Sequence, residues 1–373
     1  MLQELEEAME EVEIKSQFSG YVFRLSDILI IMICGLLCNL KDINRIHEWS
    51  KSKNAREFLK KEFKITNIPC RSHFYKILSY VNYEVFSLAF SHWIELVIKG
   101  KYPNKVISMD GKTIRSTHKY SHNGRILHIV SAIIADHGLI IGSNECQNKG
   151  DEVRAFRELI DLLDIKDSLI VADALHCKKK TAEKIIENGA DYLLVVKDNN
   201  TNLKESIEVF SYNNKDDEYT TQEKNGGRIE IRTAYVSNNI EKFSSKNEWK
   251  NLSCVGAIHR EVEKKGVKTS EWHYYICSRK LSAKELLKYA RSEWQVESMH
   301  WLLDVHFLED KTKVFDKNLQ KVMNLLRKIV INLLRTYKDS QPKNIAFSRI
   351  MDRNLFDYEN FSNVLQFLRN YDI

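Results

Sequence analysis

The sequence predicts an α/β fold enclosed at both ends by helices, and three observations predict it. Apolar side chains recur at helical spacing up to about Gly100. A three-strand meander followed by helix, strand, helix, strand occupies the stretch to about 200. After Ser282 the periodicity is helical again. At 373 residues the chain exceeds what one hydrophobic core usually organises. We therefore divide it into a helical region, 1–100, a catalytic-type α/β region, 104–340, with a β-rich insertion at about 201–280, and a helical tail, 341–373.

The helical elements come first. Ser26 or Asp27 can cap a helix through Leu40, and Asp42 can cap the next, with Ile43, Ile46 and Trp49 on one side. A third spans Asn54 to Phe63. After Pro69, Ser72 can cap a helix carrying Phe74, Ile77, Leu78 and Val81. Basic-flanked short helices suit a helix-turn-helix-like DNA reader and a plain bundle equally. Lys99–Lys105 reads as a linker. Val106–Met109 then leads as a strand into Asp110. Leu127–Ala135 and Leu139–Ser143 are two more strands, turning at Asp136–His137–Gly138. Asp151 can cap a helix with Phe156 and Leu159 inward. Ser168–Ala172 is a strand ending at Asp173; Lys179–Asn188 is a helix stopped by Gly189; Tyr192–Val196 is a strand ending at Lys197. That strand order is the one found in ribonuclease-H-like nucleotidyl-transfer domains. Strands at Arg228–Val236, Leu252–Arg260 and Glu271–Ser278 form the insertion, with Lys264–Lys265–Gly266 as a hairpin tip. Ser282 caps one helix, a second carries Glu297, and Leu319–Arg335 is amphipathic.

Composition narrows the functional class. With 43% hydrophobic and 29% charged residues, 3 prolines and 13 glycines, disorder and low-complexity structure are excluded. A net charge of +6 is compatible with nucleic acid. The 7 cysteines contain no CxxC pair, so a zinc ribbon is not expected and a reduced cytoplasmic setting is. Glu4, Glu6, Glu7, Glu10, Glu11 and Glu13 make the start acidic, unlike a signal or transit peptide. The apolar run Ile28–Cys38 is shorter than a membrane helix needs.

Asp110 and Asp173 each follow a run of β-formers, at the sheet edge where ligands collect in open α/β folds. Either aspartate alone could merely start a turn. Two carboxylates on adjacent strand ends repel unless a cation lies between them, and hard oxygen ligands suit Mg²⁺ or Mn²⁺. A third acid must come from a later element. On the helix at 291–310, Val296, Met299, Leu303 and Phe307 form an apolar side, and Glu297, His300, Trp301 and Asp304 another stripe. Glu309 and Asp310 are rival ligands.

Five segments then carry a resemblance. SMDGKTIRST (108–117), ADALHCKKKTAEKII (172–186), GADYLLVVKDNN (189–200), GGRIEIR (226–232) and RSEWQVESMHWLLDVHFLEDKTKV (291–314) resemble the H-repeat-associated insertion-sequence transposases of the DDE superfamily. SDILIIMICGLLCNLKDINRIHEWSKS (26–52) resembles their N-terminal region. The resemblance implies that Asp110, Asp173 and Glu297 are the three catalytic acids, holding two Mg²⁺ or Mn²⁺ ions. It implies a ribonuclease-H-like core and DNA strand cleavage at insertion-sequence ends followed by transfer into target DNA. A homodimer is expected, because paired ends must be held together. Departures occur at Glu293, where the family usually carries a basic or imidazole residue, and at Lys149–Glu152, Asp198 and Gly226. Lys112, Arg115, Lys178, Lys197, Arg228, Arg232 and Arg291 are candidate DNA contacts, since phosphate contacts dominate affinity. Trp301 could stack on a base, although core packing is its other role. His118, His122 and His128 lack regular ligand spacing and read as loop and strand residues. The alternatives are an inactive relic that still binds DNA and a Mg²⁺-dependent nuclease without strand transfer.

Overall fold

The computed structural model describes residues 1–14, 23–120, 126–146 and 150–371; His122 and Lys149 lie outside them. Its strands are β1 Val106–Ile114, β2 Leu127–Ile134, β3 Leu139–Glu145, β4 Leu169–Ala172, β5 Asp191–Val196, β6 Asp217–Asn225, β7 Arg228–Ser237, β8 Cys254–Lys264 and β9 Val267–Cys277. All join one sheet in the order β3-β2-β1-β4-β5-β9-β8-β7-β6. β1, β2 and β3 are mutually antiparallel, whereas β1, β4 and β5 run parallel. β9 joins β5 antiparallel through Leu193↔Cys277 to Val196↔Tyr274, so the insertion extends the same sheet.

Two turns fix the register of the insertion. Lys265 and Gly266 have φ of 53° and 77°, and Gly226 and Gly227 have 56° and 78°. Two consecutive left-handed residues match the right-handed twist of a two-residue hairpin, which accounts for the Gly-Gly pair before Arg228. The β8–β9 tip lies where the sequence predicts it. The β6 strand and a helix at 201–213 do not appear in that reading, because every β6 residue except Thr221 is exposed and the apolar alternation is missing.

The helices are α1 Leu2–Glu10, α2 Leu25–Leu37, α3 Ile43–Lys51, α4 Lys53–Phe63, α5 Arg71–Ser79, α6 Tyr83–Ile98, the short α7 Ser116–Lys119, α8 Glu152–Leu162, α9 Lys179–Glu187, α10 Thr201–Asn213, α11 Ala283–Val305, α12 Lys317–Asp339, α13 Phe347–Phe356 and α14 Tyr358–Arg369. Asp42 caps α3 as predicted, its side chain accepting from the Arg45 amide. Arg24 occupies the cap position of α2 and Cys70 that of α5, so Ser26, Asp27 and Ser72 fall inside their helices. The predicted pair of helices after Ser282 is one 23-residue helix, α11, begun by a Ser282–Glu285 capping box. That box satisfies two orphan amides at once.

Packing follows the strand period of two. Val106, Leu169, Val171, Leu193 and Val195 share a cluster with Leu286, Leu287 and Ala290 of α11 on one face. Ile107, Met109, Ile170, Ala172 and Leu194 face the other way, in the cluster that holds Phe156 and Leu159 of α8 and Ile185 of α9. The same cluster takes in α1–α6 and α12–α14. Asn332 of α12 closes the edge strand β3, its side chain exchanging two 2.8 Å hydrogen bonds with the Ile140 backbone. Trp49 of α3 donates to the Tyr358 hydroxyl at 2.9 Å, joining the chain's two helical ends.

A candidate active site where two parallel strands end

Asp110 does not end its strand. β1 continues to Ile114 because β2 pairs with it through Ile114↔Leu127. What ends at this point is the parallel ladder to β4, whose last rung is Met109↔Ala172. Asp110 and Asp173 are each the next residue, so two carboxylates stand side by side at the edge of that ladder. By strand alternation both belong to the face that α11 covers.

Three contacts set α11 over β1. Ser108 Oγ donates to the Ser292 carbonyl at 2.7 Å, His300 Nδ1 lies 3.8 Å from Asp110 Oδ2, and Lys112 Nζ bonds Asp304 at 2.6 Å. Helix and strand therefore run in the same direction, and Glu293 and Glu297 ride on α11 between the first and second of these contacts. Glu293 is half-buried and Glu297 exposed. Asp173 caps the turn after β4, accepting from the Leu175 amide at 3.0 Å.

The electrostatics record how these acids share space. Burial, with the charges of Asp173 and Glu152, lifts Asp110 to about 6 against a hydrogen bond from the Gly111 amide. Burial, then Asp173, raises Glu293 to about 7; Asp110 and Glu297 add to this, and Lys197 opposes it. Five carboxylates therefore repel across one neighbourhood. Among the described residues, no three His, Cys, Asp or Glu side chains converge closely enough to hold a metal ion. The donor set is nonetheless all carboxylate oxygen at its centre, the chemistry that Mg²⁺ or Mn²⁺ takes and zinc does not.

Behind Asp110 lies a buried ionic network. Glu309 is 0% exposed and is bound by Lys112 at 3.1 Å, Arg327 at 3.2 Å and Asn324 at 2.9 Å. Burial would raise its carboxyl, but Arg327 and Lys112 hold it at about 2. Glu309 is therefore a structural anion here, not a free rival ligand. Lys112, 11% exposed, already has its charge matched by Glu309 and Asp304. Asp310 accepts from the Arg115 amide at 2.8 Å.

Comparison with known proteins adds what geometry alone lacks. The family described as Transposase DDE domain matches residues 101–333, and the family described as DDE_Tnp_1-associated matches residues 8–94. The putative transposase YncI of Escherichia coli O157:H7 is 34% identical over 328 residues, 85% of this chain and 83% of that protein. This chain belongs to the DDE transposase family. The H repeat-associated putative transposase YhhI of Escherichia coli K12 is 31% identical over 350 residues, 90% of this chain and 92% of that one. A piggyBac transposase synaptic complex with hairpin DNA aligns at 11% identity and a TM-score of 0.46, over 96% of this chain and 77% of that chain, a likeness too weak to carry an assignment.

In this DDE-family chain the other predicted DNA contacts fall into two groups. Lys178 and Lys197 are exposed close after the ends of β4 and β5, and Arg115 is exposed past the end of β1, beside Asp310. Arg228, Arg232 and Arg291 gather with Arg260 and Trp294 around a cavity of about 540 Å³ between β6–β8 and α11. Glu230 and Glu223 partly neutralise it: Arg228 and Arg232 each lie 2.5 Å from Glu230, and Arg291 pairs with Glu223. Trp301 is 57% exposed, so it is not a core residue. Asp198 pairs with Lys204 at 2.7 Å, which matches the extra negative charge after β5.

Sequence reasoning missed Glu152 and undervalued Glu293 and His128. Glu152 opens α8 and reaches under Gly111 to His128 and His176. Its sequence signals are the acid that follows Asp151 in the helix's first turn and its place in the Lys149–Glu152 segment, which in sequence reads only as a departure.

Proposed function

We propose that the chain is a metal-dependent DNA transposase whose acids Asp110, Asp173 and Glu297 cut insertion-sequence ends and join them to target DNA. The observation that carries this is the Met109↔Ala172 rung. It stands two aspartates together in a chain of the DDE transposase family. The order β3-β2-β1-β4-β5, three antiparallel strands then two parallel, supports a ribonuclease-H-like core with residues 201–280 as its insertion.

Asp110 and Asp173 would hold Mg²⁺ or Mn²⁺, two ions being the expectation, with Glu297 completing the set and Glu293 one turn earlier. Bound there, the ions would supply acidification of the attacking water or 3′-hydroxyl and stabilisation of charge on the leaving oxygen. The chain's own part is positioning. His300, which burial and the charge of Lys112 lower to about 3, stays neutral beside Asp110. Lys112 holds β1 to α11. Arg115, Lys178 and Lys197 would take phosphates at the rim, and the Arg228, Arg232 and Arg291 group with Trp294 a further stretch of DNA; Trp301 is free to stack on a base. A homodimer would hold two ends.

The test is Mg²⁺-dependent cleavage of DNA carrying the gene's own flanking repeats, with Asp110→Ala, Asp173→Ala and Glu297→Ala assayed separately. Each should lose activity by at least about 100-fold, the scale of removing a group that stabilises transition-state charge. Retained cleavage in one variant removes that residue from the site. Precut ends with free 3′-hydroxyls should be joined to target DNA; cutting without joining would make the chain a nuclease.

A further inference from the structure

On the opposite face of the sheet from α11, directly beneath the two aspartates, Glu152 stands between two imidazoles. His128 Nε2 lies 2.8 Å from its Oε2 and His176 Nε2 lies 3.4 Å from its Oε1. The same His176 Nε2 lies 3.9 Å from Asp173 Oδ1. Its ring is 0% exposed and stacks on Phe156 at 4.0 Å, yet neither of its nitrogens has an aligned hydrogen-bond partner. A buried polar ring without partners is costly. One nitrogen of His176 thus faces both carboxylates, in contact range of each and bonded to neither. His128 is fixed from behind by Thr113 Oγ1, 2.8 Å from its Nδ1.

Gly111 shows that this arrangement is built. A Cβ there would lie 2.5 Å from both Glu152 Oε1 and His128 Nε2. Only a residue without a side chain lets the Glu152 carboxylate come up against the strand beside Asp110. The Asp-Gly step of β1 is thereby explained by space on the far face, not by a turn.

We propose that Glu152 is a positioning residue for the acidic site, orienting Asp173 through the His176 ring and bracing the Asp110–Gly111 backbone from beneath. The proposal rests on the reading of Asp110 and Asp173 as ligands of a divalent ion. When Asp173 turns to bind an ion with one oxygen, the single Nε2–H of His176 faces the other, and Glu152, on the same nitrogen, keeps that edge of the ring turned toward Asp173. Glu152 fixes which way that ring points, as outer carboxylates do for ligands generally.

The experiment titrates Mn²⁺ into the full chain without DNA, read by electron paramagnetic resonance, for the parent and for E152Q, E152D, H176Q and D173N. Circular dichroism reports folding. E152Q should weaken Mn²⁺ binding by about tenfold while remaining folded, the usual scale for such partners. E152D should recover affinity to within about threefold, because the charge is restored. H176Q reads the same contact from its other side and decides the matter if E152Q does not fold. Parent affinity in folded E152Q or H176Q overturns the proposal, as does an E152D as weak as E152Q. Unchanged affinity in D173N would instead overturn the aspartate reading itself, and this proposal with it.

Discussion

A single carboxyl gives the most direct solution test of the acidic site. Asp110 is raised from 3.8 to about 6, so the folded state holds its proton more tightly than the unfolded chain does. Below about pH 4 both states are protonated and stability is intact; between there and pH 6 the unfolded chain ionises first, so stability falls as pH rises. At roughly 1.4 kcal/mol per unit the loss is on the order of 2–3 kcal/mol. Ion-free D110N should therefore exceed the parent in urea midpoint at pH 8 and match it at pH 4. Added Mg²⁺ should raise the parent's midpoint alone. A second test lies in the network beneath. Replacing Arg327 by Met leaves Glu309 buried with one partner fewer and should cost about 3–5 kcal/mol in urea unfolding. The two aspartates could be read from the chain because each follows a β-forming run. The pairs Lys112–Glu309 and Arg327–Glu309 could not, since nothing local marks a charge whose partner folds in from another element.

At the level of elements, the sequence predicts the sheet core closely, and its errors have physical causes. β1 looked as if it stopped at Asp110 because Asp and Gly are poor strand formers. The backbone partner supplied by β2 carries it four residues further, to Ile114. Helix α11 reads as two helices because its buried positions pass from one cluster, at Leu286, Leu287 and Ala290, to another, at Val296, Met299 and Leu303. Its start is the testable part. Ser282→Ala removes the reciprocal cap and should lower stability by about 1 kcal/mol, seen as a shift in urea midpoint with DNA cleavage unchanged at 25 °C. The hairpins at 226–227 and 265–266 were half legible: the Lys-Gly tip was evident, whereas the exposed β6 strand offered no apolar pattern to recognise.

Taken whole, the helices before residue 100 pack against the helices that close the chain. Helix α2 has 11 of its 13 residues buried, apolar on all sides, and it packs on α12. Among the described residues no helix is long and apolar enough to cross a membrane, and tertiary packing is what covers α2. A chain starting at residue 101 would expose that face of α12. It should be recovered as aggregate, or unfold non-cooperatively in urea, where the full chain unfolds in a single step. DNA binding belongs to the same scale. Removing one lysine that neutralises a phosphate should reduce the slope of log affinity against log salt by about 0.9. K178A/K197A should therefore flatten that slope by about 2, and K112A should leave it unchanged because that charge is matched internally.

An α-helix rises 1.5 Å per residue, so the 23 residues of α11 make a stiff rod of about 35 Å. Arg291 fastens this rod to Glu223 on β6, and Asp304 fastens it to Lys112 on β1. Glu293 and Glu297 lie between the two rivets. They cannot approach the aspartates independently of each other, because one stiff helix, pinned to β1 again at Ser292, carries both.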